Sequence, residues 1–456
     1  MAAAILSAFI QAVLERLSTE LLNYAHPKEV KKELEKWTNT LPEIKAALED
    51  AEEKQQTERA VKRWLDDLRD FAYDLEDMLD EFATEGMLHK LKGKAKASTS
   101  KVQKLISTYI TSSSPSALIS NSRMGSKIKE ISARYQDIMK KKSKLDLREN
   151  VDRKSYGTRG RLPPTSLVNE AHVYGRKMIK KVVVRRSLFV YIFPKCIGED
   201  VLNSKIWEIP EERSGIVPAL MLSYYHLPSH LKRCFAYCSI LPKDYEFEEQ
   251  QLVLLWMAEG LIQLKDGRKS PEDLGREYFR NLLSRSFFQQ SSKDKSRFLM
   301  HDLINDLAQW VAGDICFRMG DKLEVNNIGK FSKQVRHLSY LGGRYDGTKR
   351  FEAFSEVACI RTFLPLMLPN PGHCYLTSNV PFNFFPKLRV LSLSGYCITE
   401  LPDSIVDLKY LRYIDLSHTR IRSMPESIAF LCNLQTLILE NCVYLKKLPS
   451  KFGNLV

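Results

Sequence analysis

Apolar residues in the first third of the chain recur at alternating steps of three and four, the spacing of one face of a helix. Three such stripes lie within residues 1–90, and a fourth follows within residues 127–144. Four amphipathic helices of this kind predict a four-helix bundle over residues 1–146. Residues 93–126 are rich in Ser, Thr and Lys, and we expect a mobile loop there. The apolar positions of the four stripes are Leu6, Ile10, Val13 and Leu17; Val30, Leu34, Trp37, Leu41, Ile44, Leu48 and Ala51; Trp64, Leu68, Phe71, Leu75, Met78 and Phe82; and Ile128, Ile131, Tyr135 and Ile138.

A different apolar pattern occupies the end of the chain. Combs of the form Leu-x-x-Leu-x-Leu, with one Ile substitution, begin at Leu388, Leu411 and Leu434, each 23 residues after the previous one. A fixed period in this range marks a leucine-rich-repeat solenoid, in which each unit adds one short strand to a concave sheet. Residues 336–340 and 360–366 look like two degenerate strands that open the array. We therefore predict repeats over residues 330–456, truncated because the last apolar edge has no following repeat to cover it.

Acidic residues also follow the helical period. Asp70, Asp74, Asp77 and Glu81 step by 4, 3 and 4, and form an acidic ridge beside the apolar seam of the third predicted helix. Two interpretations stay open at this point: a solvated helix face, or a surface that binds a basic partner. Neighbouring like charges on one helix repel by roughly a few tenths of a kcal/mol per pair, and a basic partner would remove that cost.

The middle of the chain has no repeat. Residues 147–200 are mostly polar and contain glycines and prolines, which is typical of a linker. Residues 201–320 carry apolar runs that indicate a compact, mostly helical domain. The fold class is therefore multidomain and mainly α, with a C-terminal α/β solenoid.

Composition excludes several classes of protein. The chain has 456 residues, a net charge of +14 and nine cysteines, none of which forms a C-x-x-C pair. No zinc framework or disulfide scaffold is visible, and reduced thiols favour a cytoplasmic location. The basic excess could attract nucleic acid, but solvated basic linkers explain it better, so we expect no specific nucleic-acid partner. The N-terminus has no basic leader and reads as an amphipathic helix, which leaves association with a membrane surface as an alternative to packing in the bundle.

Several segments resemble, in the same order, those of the plant coiled-coil nucleotide-binding leucine-rich-repeat immune receptors. Residues 73–82 look like the acidic signature of their Rx-type N-terminal bundle, with Glu76, Asp77 and Asp80 in its core. Residues 166–176 look like the entry to their nucleotide-binding module. Residues 234–244 and 255–260 resemble their winged-helix subdomain, and Met300, His301 and Asp302 match its switch motif.

This resemblance implies the domain order and one contact. It assigns residues 147–200 to a linker and a remnant of the entry to the nucleotide-binding module, and residues 201–320 to the winged-helix end of that module. In the family, the acidic signature contacts basic groups on the repeats. The candidate basic partners in this chain are Arg389, Arg412, Arg420 and Arg422.

The chain departs from the family at the nucleotide site. The phosphate-binding loop G-x-x-x-x-G-K-[ST] is not found in the sequence, and neither Gly93-Lys94 nor Gly329-Lys330 fits it. In the family, the histidine of the switch motif contacts ADP. One such contact is worth about 1–3 kcal/mol, whereas micromolar binding needs about 8 kcal/mol. We therefore expect no cofactor, although the family uses ADP or ATP with Mg, and we expect His301 to be a capping or surface residue.

These observations favour an interaction protein over an enzyme. The histidines are scattered, and no catalytic or metal-binding constellation is visible in the sequence. We predict an intracellular immune receptor for plant defence, in a truncated form that binds no nucleotide and acts on host or pathogen proteins, with self-association as a further possibility. Two alternatives stay open: an ADP/ATP-dependent switch of the full family type, and a non-functional product of a decayed or incorrectly assembled gene.

Overall fold

The structure, a computed structural model, divides the chain into two compact units. One unit combines residues 1–149 with residues 229–456, and the other comprises residues 150–228. Of the second unit only the C-terminal end is described, where Pro218–Tyr225 forms a helix. The predicted linker and entry remnant at 147–200 therefore lie almost entirely outside the described residues. These are 2–23, 35–39, 58–95, 117–145, 218–263, 269–319, 334–341, 357–366 and 384–449, with single residues or pairs between them.

The N-terminal region is helical, as the apolar stripes predict. Helix α1 spans Ala2–Asn23, α2 spans Arg59–Ala95 and α3 spans Ala117–Lys142. The residues described between positions 32 and 54 are also mostly helical. All four stripes contribute to one core, in which Leu17, Trp37, Trp64 and Ile138 are buried. The core forms because each helix presents one apolar face to the others.

Helices α2 and α3 both extend into the segment predicted to be a loop. Residues 93–95 belong to α2 and residues 117–126 belong to α3, so the predicted bounds of 93–126 are too wide. Lys, Ala, Met and Leu are good helix formers, and the Ser and Thr content of the segment masked this property. Residues 96–116 lie outside the described part.

The middle region combines helices with a small antiparallel sheet. Helix α4 spans Ser229–Tyr237, α5 spans Glu249–Ala258, α6 spans Pro271–Ser284 and α7 spans Asp302–Ala312. Strands β1 (Phe247–Glu248), β2 (Gln289–Gln290) and β3 (Arg297–Leu299) form a sheet in the order β1-β3-β2. The ring of Phe279 lies within 5.2 Å of the rings of Phe288 and Phe298 and joins α6 to this sheet.

The C-terminal region is a parallel sheet of six strands in the order β11-β10-β9-β7-β5-β4. The predicted degenerate strands are confirmed as β5 and β7. Two further short strands, β6 (Tyr345–Asp346) and β8 (Tyr375–Leu376), pair in parallel with each other. The six strands are β4 (Cys316–Met319), β5 (His337–Leu341), β7 (Thr362–Leu366), β9 (Val390–Ser392), β10 (Tyr413–Asp415) and β11 (Thr436–Ile438).

The solenoid begins earlier than the sequence predicts. Strand β4 pairs in parallel with β5, although residues 201–320 were assigned to the winged-helix region. The repeat pattern misses β4 because no leucine comb marks it. After β4, the leucine pattern correctly predicts the buried face of the sheet. Leu391 and Ile414 stack in register on adjacent strands, and both are buried. Leu437 continues the stack on β11 and is partly buried.

Within the described part of the chain, no helix has the length and apolarity that crossing a membrane requires.

Candidate functional site

Four arginines occupy the same position in four successive repeats. Arg336, Arg361, Arg389 and Arg412 each directly precede a strand of the six-stranded sheet. The backbone amides of Arg361, Arg389 and Arg412 donate to the carbonyl of the preceding arginine in this series, at 2.7, 2.7 and 2.8 Å. The four side chains therefore start from one edge of the sheet at intervals of about 4.8 Å. We call this set the arginine column.

Helix α2 meets the middle of the arginine column with an acidic face. The guanidinium of Arg361 donates to the carboxylates of both Glu76 and Asp77. It also donates to the backbone carbonyl of Tyr73 at 2.8 Å and lies 4.6 Å from the centre of the Tyr73 ring. Asp77 has a second cationic partner in Lys387, at 2.7 Å. Arg361 is 1% exposed, so this group of contacts is removed from water.

One carboxylate binds three arginines from two regions of the chain. Asp80 Oδ2 lies 2.6 Å from Arg389 Nη2. Asp80 Oδ1 accepts from Arg412 Nη2 at 2.8 Å and from Arg16 Nη2 of α1, also at 2.8 Å. Arg389 Nη2 is in addition 3.4 Å from Glu76 Oε2. Asp80 therefore joins α1, α2 and the repeats at one point.

Two further contacts extend the interface beyond the central carboxylates. At one end, Arg336 Nη2 lies 3.6 Å from Asp70 Oδ1. At the other, the Asn433 side-chain amide donates to the Thr84 hydroxyl at 2.8 Å. The order of side chains along α2 thus follows the order of repeats along the solenoid.

The pitch of the helix matches the spacing of the strands. Asp80 follows Asp70 by ten residues, which is about 15 Å along a helix. Arg412 follows Arg336 by three strands of the sheet, or about 14 Å. A straight helix laid across the strand ends can therefore offer a carboxylate to each successive arginine.

The remaining charges of the acidic ridge face the neighbouring helix. Glu81 pairs with Lys127 of α3, and Asp74 pairs with Arg134 of the same helix. Asp74 Oδ1 is also 3.7 Å from Lys387. Basic side chains thus cover the ridge on two sides. Their positive charges offset the repulsion between the neighbouring carboxylates.

The buried charges stabilise one another. Burial alone would raise the pKa of Glu76, but Arg389 and Arg361 lower it to about 2. Burial also opposes the ionisation of Asp80, yet Arg389 and Arg412 hold its pKa well below the usual range. Burial lowers the pKa of Arg412 to about 10 in spite of Asp80. All these groups are charged at neutral pH, so the contact is a network of ion pairs.

The sequence identified only part of this network. Glu76, Asp77, Asp80, Arg389 and Arg412 come together as described. Arg420 and Arg422 do not: both are exposed and lie after β10, and among the described residues neither forms an ion pair with α2. Their position in the repeat is the reason, since Arg420 and Arg422 follow their strand, whereas the repeat residues that contact α2 precede theirs.

Sequence reasoning missed Arg361, Arg336, Arg16 and Lys387. A signal for two of them was present, because Arg361 and Arg336 follow an apolar residue that opens a repeat strand, as Arg389 follows Leu388. The degenerate combs hid this equivalence. No comparable pattern marks Arg16, which reaches the site from α1.

The switch motif lies elsewhere in the fold. Met300 is buried, and Asp302 is the exposed first residue of α7. His301 is exposed and caps this helix, with Nδ1 accepting from the Leu303 amide at 3.2 Å. Among the described residues, no cluster of His, Cys, Asp and Glu could hold a metal ion.

Three segments of the chain match known protein families. Residues 5–113 match the Rx N-terminal domain, residues 240–308 match the winged helix domain of disease resistance proteins, and residues 375–456 match a leucine-rich repeat region. These segments correspond to the helical region, to α5–α7 with the small sheet, and to the last three solenoid strands.

Relatives of known name agree with these matches. The chain is 47% identical over 247 residues to the putative disease resistance RPP13-like protein 1 of Arabidopsis thaliana. This match covers 53% of this chain and 23% of that protein. It is 37% identical over 282 residues to the disease resistance protein RGA2 of Solanum bulbocastanum, covering 59% and 26%. The matched part thus spans about a quarter of the length of these relatives. The three family matches and these relatives together show that the chain belongs to the coiled-coil nucleotide-binding leucine-rich-repeat family of plant disease resistance proteins.

Proposed function

We propose that this chain acts in plant immunity as an interaction protein, and that docking of α2 on the arginine column holds its helical region against the repeats. The observation that carries the proposal is the buried network around Glu76, Asp77 and Asp80. Relatives are named disease resistance proteins, which supports the immune role. The solenoid supports recognition of host or pathogen proteins, because repeat arrays form extended binding surfaces.

The energetics favour a contact that is either fully formed or fully released. Removing one partner of a buried ion pair costs about 3–5 kcal/mol, because a buried charge is left uncompensated. Arg361, Arg389, Glu76 and Asp80 are each less than 5% exposed. A partner that drew α2 away would have to hydrate all of these groups at once. Such a contact suits a receptor that is quiet until a strong ligand binds.

Charge reversal in the full chain tests the proposal. Replacing Glu76, Asp77 and Asp80 with lysine is expected to raise hydrogen exchange along α2 and to increase necrosis when the chain is expressed in leaf tissue. Adding Arg361→Glu, Arg389→Glu and Arg412→Glu should restore part of the protection. Asp67→Lys is the matched control, since Asp67 pairs with the exposed Lys141 at 2.9 Å and not with the repeats. Unchanged exchange in the triple variant would refute the docking contact.

The nucleotide prediction is part of the same proposal. We propose that the chain binds neither ADP nor ATP specifically, because the sequence lacks a phosphate-binding loop and His301 caps α7. The alternative is an ADP/ATP-dependent switch of the full family type. Calorimetry on the purified chain separates the two, and micromolar affinity for ATP would establish the switch.

The finer architecture and location complete the proposal. The helical residues between positions 32 and 54 supply the second helix of a four-helix bundle, whose other members are α1, α2 and α3. A cytoplasmic location is supported by the family. Association of α1 with the plasma membrane is less favoured, because Leu6, Phe9, Val13 and Leu17 are buried in the helical core. The complementary charges of α2 and the arginine column also argue against a non-functional gene product.

A further inference from the structure

The end of α5 contacts two members of the arginine column through their Nη1 atoms, whereas their Nη2 atoms pair with Asp80 of α2. The last carbonyls of a helix have no partner within it. The carbonyl of Ala258 accepts from Arg412 Nη1 at 3.2 Å, and that of Glu259 accepts from Arg389 Nη1 at 3.1 Å. Gly260 follows with a φ of +71°, which turns the chain away directly after these contacts. The negative end of the helix dipole therefore points at two arginines.

The side chain of Glu259 meets a buried hydroxyl group. Thr362 Oγ1 lies in hydrogen-bonding contact with Glu259 Oε1. The same oxygen is 3.1 Å from His337 Nδ1 and 3.2 Å from the Tyr237 hydroxyl. Thr362 is 0% exposed, and the other three residues are buried as well. Four segments of the chain thus converge on one oxygen atom: the end of α4, the end of α5, β5 and β7.

The number of protons at this oxygen fixes the direction of each hydrogen bond. A hydroxyl group donates one hydrogen bond and accepts two. Burial alone would raise the pKa of Glu259, but His337 and Arg389 lower it to about 2, so the carboxylate is ionised and can only accept. Thr362 must then donate to Glu259, and Tyr237 and His337 must both donate to Thr362. His337 therefore carries a proton on Nδ1.

We propose that Glu259 and Thr362 form a second docking contact, which anchors the winged-helix region on the repeats. Thr362 is the positioning residue, because its hydroxyl transmits the contact from Tyr237 and His337 to Glu259. Arg389 and Arg412 close the contact from the side of the arginine column. This contact is distinct from the docking of α2, because it uses the carboxylate of Glu259 and none of the carboxylates of α2.

Hydrogen exchange in the full chain tests this anchor with matched variants. Thr362→Val keeps the shape of the side chain and removes the hydroxyl, which takes one donor from the Glu259 carboxylate and leaves His337 Nδ1, 3.6 Å from Oε1, as its neighbour. Exchange over residues 234–261 is expected to accelerate about tenfold. Thr362→Ser should stay within about twofold of the wild-type rate, since it keeps the hydroxyl. Thr419→Val removes another buried hydroxyl of the solenoid, one that lies 3.5 Å from Cys442 Sγ, and should leave residues 234–261 unchanged.

The protonation of His337 gives a readout that a merely structural role would not change. Nitrogen NMR of the histidine-labelled chain is expected to show Nδ1 of His337 protonated in the wild type. In Thr362→Val the hydroxyl acceptor of this N–H is gone and the Glu259 carboxylate, 3.6 Å from Nδ1, remains, so the Nδ1 resonance is expected to shift. The proposal is overturned if wild-type Nδ1 is bare, if Thr362→Val leaves residues 234–261 as protected as the wild type, or if Thr419→Val accelerates them equally.

Discussion

Replacing Glu76 with Gln should weaken the docked structure by an amount that depends on pH. The substitution keeps the size of the side chain and removes the charge that Arg361 and Arg389 bind. The pKa of Glu76 is lowered from 4.5 to about 2. At 1.36 kcal/mol per unit, ionisation of this group contributes about 3 kcal/mol to stability at neutral pH. We therefore expect Glu76→Gln to lose about 3 kcal/mol of unfolding free energy at pH 7.

The sign of the pH dependence follows from the lowered pKa. A carboxyl group that is more acidic in the folded state stabilises that state fully above its unfolded pKa. This stabilisation is lost as the pH falls from about 4.5 towards 2. The wild type and Glu76→Gln should therefore differ by about 3 kcal/mol at pH 7 and converge near pH 2. Urea unfolding, followed by the fluorescence of the buried Trp37 and Trp64, measures this difference.

A second substitution on the same helix serves as the control. Glu81 carries the same side chain as Glu76 but pairs with Lys127 in a more exposed position. Glu81→Gln should cost about 1 kcal/mol or less. The reasoning is refuted if Glu76→Gln costs no more than Glu81→Gln at pH 7, or if the cost of Glu76→Gln is the same at pH 7 and pH 3.

Further substitutions test other parts of the fold by urea unfolding. Arg389→Met should cost about 3 kcal/mol because it removes one buried cationic partner from both Glu76 and Asp80. Arg420→Met at an exposed site should change stability by less than about 0.5 kcal/mol, and equal effects would contradict the assignment of Arg389 to the contact with α2. Gly260→Ala should cost about 1–2 kcal/mol because φ at this residue is +71°, and a neutral result would show that the turn relaxes. Ile414→Ala should cost about 2–5 kcal/mol through the cavity that it leaves in the solenoid core, and a loss below about 1 kcal/mol would show that the core collapses around it.

Sequence patterns predicted the elements whose periodicity is strict. The helical stripes and the leucine combs led directly to α1–α3 and to β9–β11, because each pattern reflects burial of one face. Strand β4 was missed, since it joins the sheet through pairing with β5 rather than through a comb of its own. Its residues become strand only in the presence of the neighbour, and such tertiary influence leaves little local signal.

The docking site was predicted in part for a similar reason. The acidic residues and the two arginines of the regular repeats stood out because their spacing is regular. Arg361 belongs to a degenerate repeat, and Arg16 reaches Asp80 from a helix 64 positions earlier in the chain. Glu259 and Thr362 are separated by 103 positions, and no pattern in the sequence around either residue predicts their contact. Long-range pairs of this kind become visible only when the chain is folded.

The match in pitch between α2 and the strands restricts how the repeat array can change in evolution. A unit inserted between Arg361 and Arg412 would move every later arginine by one strand spacing, about 4.8 Å, which exceeds the reach of an ion pair, while the carboxylates on α2 would stay where they are. Changes in repeat number are therefore expected to be tolerated only beyond Asn433, where new recognition surfaces can be added without disturbing the part of the array that α2 contacts.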